Sequence, residues 1–414
     1  MVPSILGQIM HGQFILHRKH IHSRVLILVV LPVVFLSSAW AGTTTTSTTS
    51  THTSISESPK VAKKLSHHHS RPLAHSATHH RKHHYYERFY TSSFTDDNTA
   101  GDLSAGEDAV VRSAAVDALG NMNGSVLAID PDSGRILTMV NQKLALSEGA
   151  QPCSTIKVAV GLAALSEGII NKDTRVKIGR SKITLTYALA HSNNAYFEEL
   201  GRRLGFDKVS HYAQQFGLGE LAGYNIEGEH LGTFPTEELD AKLGGVGKMC
   251  SFGESINLTP LQLGAMVSAI ANGGSLYYLQ HPGSPDELQS FQPKLKRALD
   301  IASYIPDISE GMGAAVEYGT AHSLRYNFSE EQVLGKTGTC SKDGTRFGWF
   351  ASYANTQHGR IVTVVFLRGG RPTYGPKAAE ITGRLYRNLY DHSFFAANVP
   401  LRDHPAGTLR GVSQ

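Results

Sequence analysis

Three short motifs that can carry chemistry follow one another along this chain of 414 residues. They read Ser-Thr-Ile-Lys at 154–157, Ser-Asn-Asn at 192–194 and Lys-Thr-Gly-Thr at 336–339. The first and third patterns each occur once, whereas Ser-x-Asn occurs again at 255–257. The set constrains the fold more than any single motif does, because a fold that uses all three must bring distant segments to one place.

Ser154 and Lys157 have the spacing of a nucleophile and its base. Residues three apart on a helix share one face, so the lysine can fold toward the serine hydroxyl. A serine hydroxyl is a weak nucleophile until a base accepts its proton. The sequence at 154–165 is apolar almost all round, which predicts a buried helix that disfavours a charged ammonium. Ser154 at its start would also meet backbone N–H groups and the positive end of the helix dipole.

The second motif predicts groups that face this nucleophile. Ser192 and Asn194 follow a short helical segment at 184–191, and we expect them on a loop. The Ser192 hydroxyl could relay a proton to a leaving amine. The Asn194 amide offers both a donor and an acceptor to a substrate peptide bond.

The third motif lies in a predicted strand at 333–339. Gly338 has no side chain, so a peptide could pair with the strand edge there. Lys336 and the hydroxyls of Thr337 and Thr339 would attract the carboxylate at the end of that peptide. Together the three motifs predict a serine acyl-transfer site.

With these residues the chain resembles the transpeptidase domain of the penicillin-binding proteins, in the superfamily that also contains the serine β-lactamases. The resemblance covers roughly residues 124–392. Segments similar to the family outside the three motifs lie at 128–137, 258–263, 271–274, 319–321 and 348–351.

The resemblance implies a role for each motif residue. Ser154 would be the nucleophile, Lys157 the base and Ser192 the proton relay, with an oxyanion hole made by the backbone N–H groups of Ser154 and Thr339. The residues expected to contact substrate are Asn194, Lys336, Thr337, Gly338 and Thr339. The implied reaction is attack on the D-Ala-D-Ala bond of a peptidoglycan stem peptide, as in a D,D-transpeptidase or D,D-carboxypeptidase. β-Lactams would acylate the same serine.

Two cysteines flank the first and third motifs. Cys153 stands where such penicillin-binding proteins commonly carry a small residue, and Cys340 directly follows the third motif. A disulfide between cysteines at both positions is a feature of certain class A carbapenem-hydrolysing β-lactamases. The resemblance therefore predicts a Cys153–Cys340 disulfide, with two buried free thiols as the alternative, and leaves Cys250 as a small core residue.

Two other functions stay open at this point. A serine β-lactamase would share the nucleophile but must also deacylate quickly, and class A enzymes use a glutamate for that step. Glu227 and Glu229 lie downstream of Ser192, although their context resembles the penicillin-binding pattern instead. A non-turnover β-lactam sensor would remain acylated, but nothing after Leu401 resembles a signalling domain.

Strand and helix patterns predict an α/β catalytic domain at 103–392. Helical patterns fill the middle of the domain, and strands lie at both of its ends, which predicts an antiparallel sheet flanked by helices with an inserted helical lobe. This is the β-lactamase/transpeptidase-like fold that the resemblance implies. The predicted strands are 125–130, 135–140, 333–339, 347–353 and 361–367.

Three segments are predicted outside that domain. Residues 1–41 hold basic residues, an apolar run and a small-x-small site, as in a signal peptide or a membrane anchor. Residues 42–102, rich in Thr and Ser and then in His, predict a disordered linker, and 393–414 a C-terminal tail. We therefore expect an exported protein, either periplasmic or held at the outer face of the inner membrane if residues 1–41 are not cleaved.

The charge balance argues against a nucleic-acid partner. The first 100 residues hold ten Lys and Arg against four Asp and Glu, whereas the other 314 hold 29 against 31. The catalytic domain is therefore close to neutral, unlike a nucleic-acid-binding domain. The glycines at 244–247 lack the phosphate-loop pattern, and no Cys and His spacing predicts a structural zinc. The His-rich stretch at 67–84 could bind a transition metal, but a solvated linker is the preferred interpretation. We expect no cofactor and no metal.

Overall fold

The computed structural model describes residues 87–356 and 359–397. The predicted signal peptide or anchor at 1–41, the first part of the predicted linker at 42–86 and most of the predicted tail, 398–414, lie outside the described residues. Among the helices of the described part, none is both long and apolar enough to cross a membrane.

The strands of the described chain form one five-stranded sheet and two small two-stranded sheets. Their bounds are β1 (Gly124–Asp130), β2 (Arg135–Val140), β3 (Val176–Ile178), β4 (Ser181–Ile183), β5 (Ser275–Tyr277), β6 (Leu295–Ala298), β7 (Gln332–Lys342), β8 (Thr345–Thr356) and β9 (Gly359–Gly369). The large sheet has the order β2-β1-β9-β8-β7, and each neighbouring pair is antiparallel. β7, which carries the third motif, is therefore an edge strand.

Helices cover both faces of this sheet and form the inserted lobe. Their bounds are α1 (Ala109–Leu119), α2 (Gln142–Ala145), α3 (Lys157–Ser166), α4 (Leu185–Ala190), α5 (Asn194–Leu204), α6 (Phe206–Gln215), α7 (Gly245–Phe252), α8 (Pro260–Ala271), α9 (Pro285–Gln289), α10 (Ile305–Glu317), α11 (Gly375–Asp391) and α12 (Phe394–Ala397). Short 3₁₀ turns occur at Cys153–Ile156, Ala241–Leu243 and His322–Tyr326.

Alternation along the strands gives the sheet two buried faces, as β9 illustrates. Val362, Val364 and Phe366 belong to one core, which the sheet shares with α3 and α8. Val365 and Leu367 belong to a second core, shared with α1 and α11. Successive side chains of a strand point to opposite faces of the sheet. An uninterrupted run of apolar residues therefore predicts a strand that is covered on both faces. Ser154, Lys157 and Ser192 lie on the α3 side, and Lys336 of β7 points toward them.

The predicted fold class is confirmed, and the structure extends the strands beyond their predicted ends. β7 continues to Lys342 and turns into β8 through Asp343 and Gly344, whose φ angles are 49° and 70°. A two-residue Asp-Gly turn with both φ values positive fits the right-handed twist of a hairpin. The apolar pattern ends earlier than this pairing does, which is why the sequence predicted a shorter strand.

The predicted boundary of the disordered linker at residue 102 is wrong for its last part, since residues within 87–102 pack on the domain. The Asn98 amide donates to the carbonyls of Gly120 and Met122, and the buried Ser93 hydroxyl accepts from the N–H of Gly370. These residues are held by hydrogen bonds to backbone groups of distant elements. Such contacts leave no apolar period in the sequence, so composition could not reveal them.

Candidate active site

Ser154 lies in the 3₁₀ turn Cys153–Ile156, which leads directly into α3. The serine is 9% exposed, so it borders the surface while the residues after it enter the core. Cys153 adopts a left-handed conformation with φ of 52°, which is strained for a non-glycine residue. The predicted helix start is thus a sharp turn whose first residue, Cys153, is strained.

Lys157 is fully buried, and its ammonium nitrogen lies at the centre of the site. Nζ is 3.0 Å from Ser154 Oγ and 3.1 Å from Ser192 Oγ. It also donates to the Ser192 carbonyl at 2.8 Å and to Asn194 Oδ1 at 2.6 Å. Burial lowers the pKa of Lys157 to about 6, the positive charge of Lys336 lowers it as well, and Glu198 opposes them.

A neutral amine satisfies this set of partners. The Ser192 carbonyl and Asn194 Oδ1 can only accept, so they take two N–H bonds. A neutral lysine then keeps its lone pair, and a hydroxyl can donate to that lone pair. The Ser154 hydroxyl at 3.0 Å is within reach of it. The geometry and the lowered pKa of Lys157 therefore agree that this lysine can receive a proton from Ser154.

Ser192 and Asn194 lie at the junction of α4 and α5. Ser192 has a φ of 53°, and its N–H bonds to the Leu189 carbonyl. Asn193 caps α5, because its side chain accepts from the Tyr196 N–H. These bonds fix the loop that turns Ser192 toward the two lysines. Because Asn194 Oδ1 faces Lys157, the amide nitrogen of Asn194 is left for other partners.

Lys336 approaches the same hydroxyl from β7. Its Nζ donates to Ser192 Oγ at 3.0 Å and to the Thr337 carbonyl at 2.9 Å. Burial lowers the pKa of Lys336 to about 7. Ser192 Oγ therefore bridges two buried lysines whose titrations are coupled.

Gly338 is where β7 packs against the turn that carries Ser154. A Cβ at this position would lie 2.8 Å from the Pro152 carbonyl oxygen and 3.1 Å from Thr155 Cγ2. The sequence argument assigned this glycine to the approach of a substrate backbone. The structure adds a second reason for it, the close contact between β7 and the 3₁₀ turn Cys153–Ile156, which we call the nucleophile turn after the expected role of Ser154. The substrate role of Gly338 stays a prediction.

The two threonines of the third motif bond away from the lysines. Thr337 is buried, and its hydroxyl lies 2.6 Å from that of Thr320, which follows α10. Thr339 Oγ1 accepts from the Gly375 N–H at the start of α11, at 2.8 Å. Its own proton is still available to a ligand. The structure thus ties β7 to α10 and α11 through these hydroxyls, which the sequence reasoning did not foresee.

A disulfide and an indole clamp the nucleophile turn to the sheet. Cys153 and Cys340 are bonded in the structure, with their Cα atoms 5.6 Å apart, and Cys250 is a buried free thiol. Trp349 of β8 is fully buried, and its indole N–H donates to the Gln151 carbonyl at 3.0 Å. The residues just before Ser154 are therefore anchored to both β7 and β8.

We expect reduction of the disulfide, or Cys340→Ser, to lower the free energy of unfolding by about 2–4 kcal/mol. The bond closes a loop with a sequence separation of 187 residues, which restricts the unfolded chain strongly. Urea denaturation with and without a reductant measures this difference. Cys250→Ser is a control that keeps the Cys153–Cys340 disulfide and should lose as much stability on reduction as the wild type. Equal midpoints for oxidised and reduced wild-type protein would contradict the prediction.

The motif residues fall into two groups. The structure joins Ser154, Lys157, Ser192, Asn194 and Lys336 in one hydrogen-bond network. Thr337, Gly338 and Thr339 adjoin it on β7. The sequence reasoning missed Trp349 and Thr320 as supports of the site, although both lie in segments that it compared with the family. Within the described residues, no group of three or more His, Cys, Asp or Glu is placed to hold a metal.

Comparison with known proteins identifies the family. The model for the penicillin binding protein transpeptidase domain matches residues 124–388. Stage V sporulation protein D of Bacillus subtilis is 27% identical over 317 residues, which cover 63% of this chain and 48% of that protein. Peptidoglycan D,D-transpeptidase MrdA of Escherichia coli K12 is 24% identical over 338 residues, 68% of this chain and 50% of that protein. The chain thus spans about half the length of these curated relatives.

Solved structures show the same fold. Pseudomonas aeruginosa PBP2, crystallised in complex with WCK 5153, matches with a TM-score of 0.58 at 22% identity, over 69% of this chain and 74% of that chain. The apo transpeptidase domain of Burkholderia pseudomallei penicillin-binding protein 3 gives a TM-score of 0.59 at 19% identity, over 72% of this chain and 97% of that chain. The family model matches well over half of this chain, and the chain therefore belongs to the penicillin-binding protein transpeptidase domain family.

Proposed function

We propose that this protein is a penicillin-binding serine acyltransferase that acts on D-Ala-D-Ala stem peptides of peptidoglycan. The observation that carries the proposal is the buried Lys157 amine, 3.0 Å from Ser154 Oγ and with its pKa lowered to about 6. The names of the relatives support the substrate class, since several are peptidoglycan D,D-transpeptidases.

In the proposed first step, Ser154 Oγ attacks the carbonyl carbon of the penultimate D-alanine while Lys157 Nζ takes its proton. The oxyanion would be held by the backbone N–H groups of Ser154 and Thr339. Lys157 then passes a proton through the Ser192 hydroxyl to the leaving nitrogen, a path supported by the 3.1 Å distance between Lys157 Nζ and Ser192 Oγ. The C–N bond breaks, D-alanine leaves, and an ester on Ser154 remains.

In the second step an amine of another stem peptide, or water, attacks the ester carbonyl. Lys157 is again neutral and accepts the proton of this nucleophile, and Ser154 Oγ leaves and is reprotonated. An amine gives a crosslink, whereas water gives a trimmed peptide. A β-lactam would follow the same two steps of acylation and deacylation. Its ring opens on acylation but no fragment leaves, so the acyl-enzyme persists longer.

Substrate recognition is proposed to use the other motif residues. Lys336 supplies positive charge for the terminal carboxylate, and the Thr339 hydroxyl has a proton to donate to it. The amide nitrogen of Asn194 points away from its bond to Lys157 and is available to a substrate carbonyl. Thr337, whose hydroxyl contacts Thr320, would position β7 from its buried side.

A β-lactamase function has weaker support. The candidate glutamates do not approach Ser154: the Glu229 carboxylate accepts from the N–H groups of Ala222 and Gly223, and Glu227 is exposed. Rapid deacylation would need another base.

We further propose that the protein works outside the cytoplasm, with residues 1–41 as signal peptide or anchor and 42–86 as linker. The apolar run and the Thr/Ser- and His-rich composition support this proposal.

The test is a time course of intact-protein mass spectrometry with benzylpenicillin, beside Ser154→Ala. We expect a long-lived adduct on the wild type and none on the variant. Release of D-alanine from a D-Ala-D-Ala pentapeptide then separates an enzyme from a sensor. Rapid penicillin hydrolysis without an adduct would favour the β-lactamase, and no reaction in either assay would reject the site.

We expect the second-order rate of acylation to show a maximum between about pH 6 and pH 7. Lys157 must be neutral to act as base, and its pKa is lowered to about 6, so the rate rises as the pH passes that value. Lys336 must be cationic to attract the carboxylate, and its pKa is lowered to about 7 in the free protein, so the rate falls above that value. The two apparent values belong to the coupled pair.

The measurement is the initial rate of acylation by a chromogenic cephalosporin from pH 5 to pH 10. Lys336→Arg keeps a permanent cation and should lose the alkaline fall while retaining the acid rise. A rate that keeps rising to pH 10 in the wild type would show that Lys157 has an ordinary pKa, which contradicts the burial argument.

A further inference from the structure

Three exposed aromatic rings form a row beside the active site and take no part in the network of lysines and serines. Tyr187 and His191 lie on successive turns of α4 and its C-terminal cap, with ring centroids 4.4 Å apart. The ring centroid of His191 is 5.8 Å from that of Tyr318, the C-terminal cap of α10. Tyr187 is 47% exposed and Tyr318 57% exposed, and His191 is exposed as well. We call these three rings the aromatic row.

The aromatic row is continuous with the active site through two short backbone connections. His191 directly precedes Ser192, whose hydroxyl bridges the two lysines. Tyr318 is two residues before Thr320, whose N–H bonds to the Ala190 carbonyl and whose hydroxyl contacts that of Thr337. A Cβ on Gly319 would lie 2.2 Å from the Ala190 carbonyl oxygen, so the two segments are in tight contact. The two backbone segments that carry the row are therefore packed tightly against each other beside the site.

The row lies beside the part of β7 that carries the third motif. The proposed carboxylate subsite is formed by Lys336 and the β7 segment next to it, which Thr320 contacts through Thr337. In the proposed reaction, the D-alanine that bears this carboxylate would leave from that side of Ser154. The second nucleophile must attack the same carbonyl from the vacated position, so an acceptor strand has to pass this side of the cleft.

The chemistry of the row favours a neutral ligand with both apolar and polar faces. Rigid aromatic rings that carry O–H and N–H groups offer flat contact area and hydrogen bonds at low entropic cost. The charge of Arg325 in the adjoining turn is already matched by Glu317, 3.1 Å away. Pyranose rings of N-acetylated amino sugars match these properties, since their C–H faces stack on aromatic rings and their hydroxyl and acetamido groups form hydrogen bonds.

We propose that the aromatic row binds the amino-sugar backbone of the acceptor glycan strand during crosslinking. The inference rests on the proposed acyl transfer and adds to it the direction from which the acceptor comes. Tyr187 and Tyr318 make the stacking contacts, and His191 holds the two tyrosines in one row. Without the row, transfer to water continues while transfer to a glycan-borne amine is impaired.

The direct test measures binding of the uncharged tetramer of N-acetylglucosamine to the full chain by titration calorimetry. We expect the double variant Tyr187→Ser/Tyr318→Ser to bind it about tenfold or more weakly than the wild type, since each lost ring contact removes part of the stacking energy. Tyr187→Phe/Tyr318→Phe keeps both rings and should bind nearly as well as the wild type. Tyr224→Ser is the matched control, because Tyr224 is 43% exposed and also contacts another ring, that of Tyr278.

A second readout separates this role from a structural one. The double serine variant should form the penicillin adduct on Ser154 at the wild-type rate, yet show a lower ratio of crosslinked to hydrolysed product on polymeric peptidoglycan. The proposal is overturned if the wild type does not bind the tetramer, if the double variant and Tyr224→Ser lose affinity equally, or if only an acidic stem tripeptide binds at the row. If the wild type forms no penicillin adduct on Ser154, the proposed function is rejected, whatever the result with the sugar.

Discussion

Lys157→Met should lower the rate at which benzylpenicillin acylates Ser154 by about 10²- to 10⁴-fold, the usual contribution of a positioned general base. The lysine is fully buried, and its nitrogen is 3.0 Å from the nucleophile, so neither water nor an exposed side chain can take its place. Methionine has a similar length and fits an apolar environment, so the core remains filled. The loss should therefore fall on the chemical step.

The rate is best measured by quenched mass spectrometry, which counts acylated protein directly. Circular dichroism would establish that Lys157→Met is folded. Lys248→Met is the matched control, because that lysine lies on α7 with its side chain 42% exposed and contacts the Phe252 ring. A rate for Lys157→Met within tenfold of the wild type would mean that another group takes the serine proton.

Trp349→Ala is expected to have the largest effect on stability, with a loss of about 3–5 kcal/mol in the free energy of unfolding. Trp349 is fully buried, and its ring stacks on Phe366 with centroids 3.9 Å apart. Its removal creates a cavity and also leaves the Gln151 carbonyl without its indole donor. Because Gln151 is three residues before Ser154, the acylation rate should fall with the stability.

Trp349→Phe separates the two contributions in a urea denaturation series. Phenylalanine keeps most of the stacking but cannot donate to Gln151, so we expect a loss of about 1–3 kcal/mol, from a buried acceptor left unpaired. An alanine variant no less stable than the phenylalanine variant would contradict the packing argument. Acylation rates of both variants, measured under folding conditions, would show how far the hydrogen bond alone positions the nucleophile turn.

Local spacing predicted the centre of the site well, because the contact between Ser154 and Lys157 depends on a single helical turn. The convergence of Ser192 and Lys336 could not follow from spacing, since they are on different elements. It was expected only because the ordered set of motifs resembles a family. The burial of Lys157 was predicted from the apolar sequence of α3, and this burial is the main cause of its lowered pKa.

The supports of the site were not predictable in the same way. Thr337 bonds to Thr320 because α10 ends beside the edge of β7, and no pattern in either segment encodes that meeting. Gly338 was assigned to substrate approach, but its close neighbour in the structure is the Pro152 carbonyl. Tertiary packing determines such contacts, whereas sequence periodicity reports only which face of an element is buried.

The path of the chain into the domain has a mechanical consequence. Among the first described residues, Tyr90 donates its N–H to the Gly344 carbonyl, and the Thr91 hydroxyl lies 2.7 Å from that of Thr345. Gly344 and Thr345 belong to the hairpin turn and strand that follow β7. A pull on the chain from its N-terminal side would therefore load the tip of this hairpin, about 10 Å along β7 from Thr339, before it loaded any helix. Such a force would reach β7, the strand that carries the third motif, at its hairpin end.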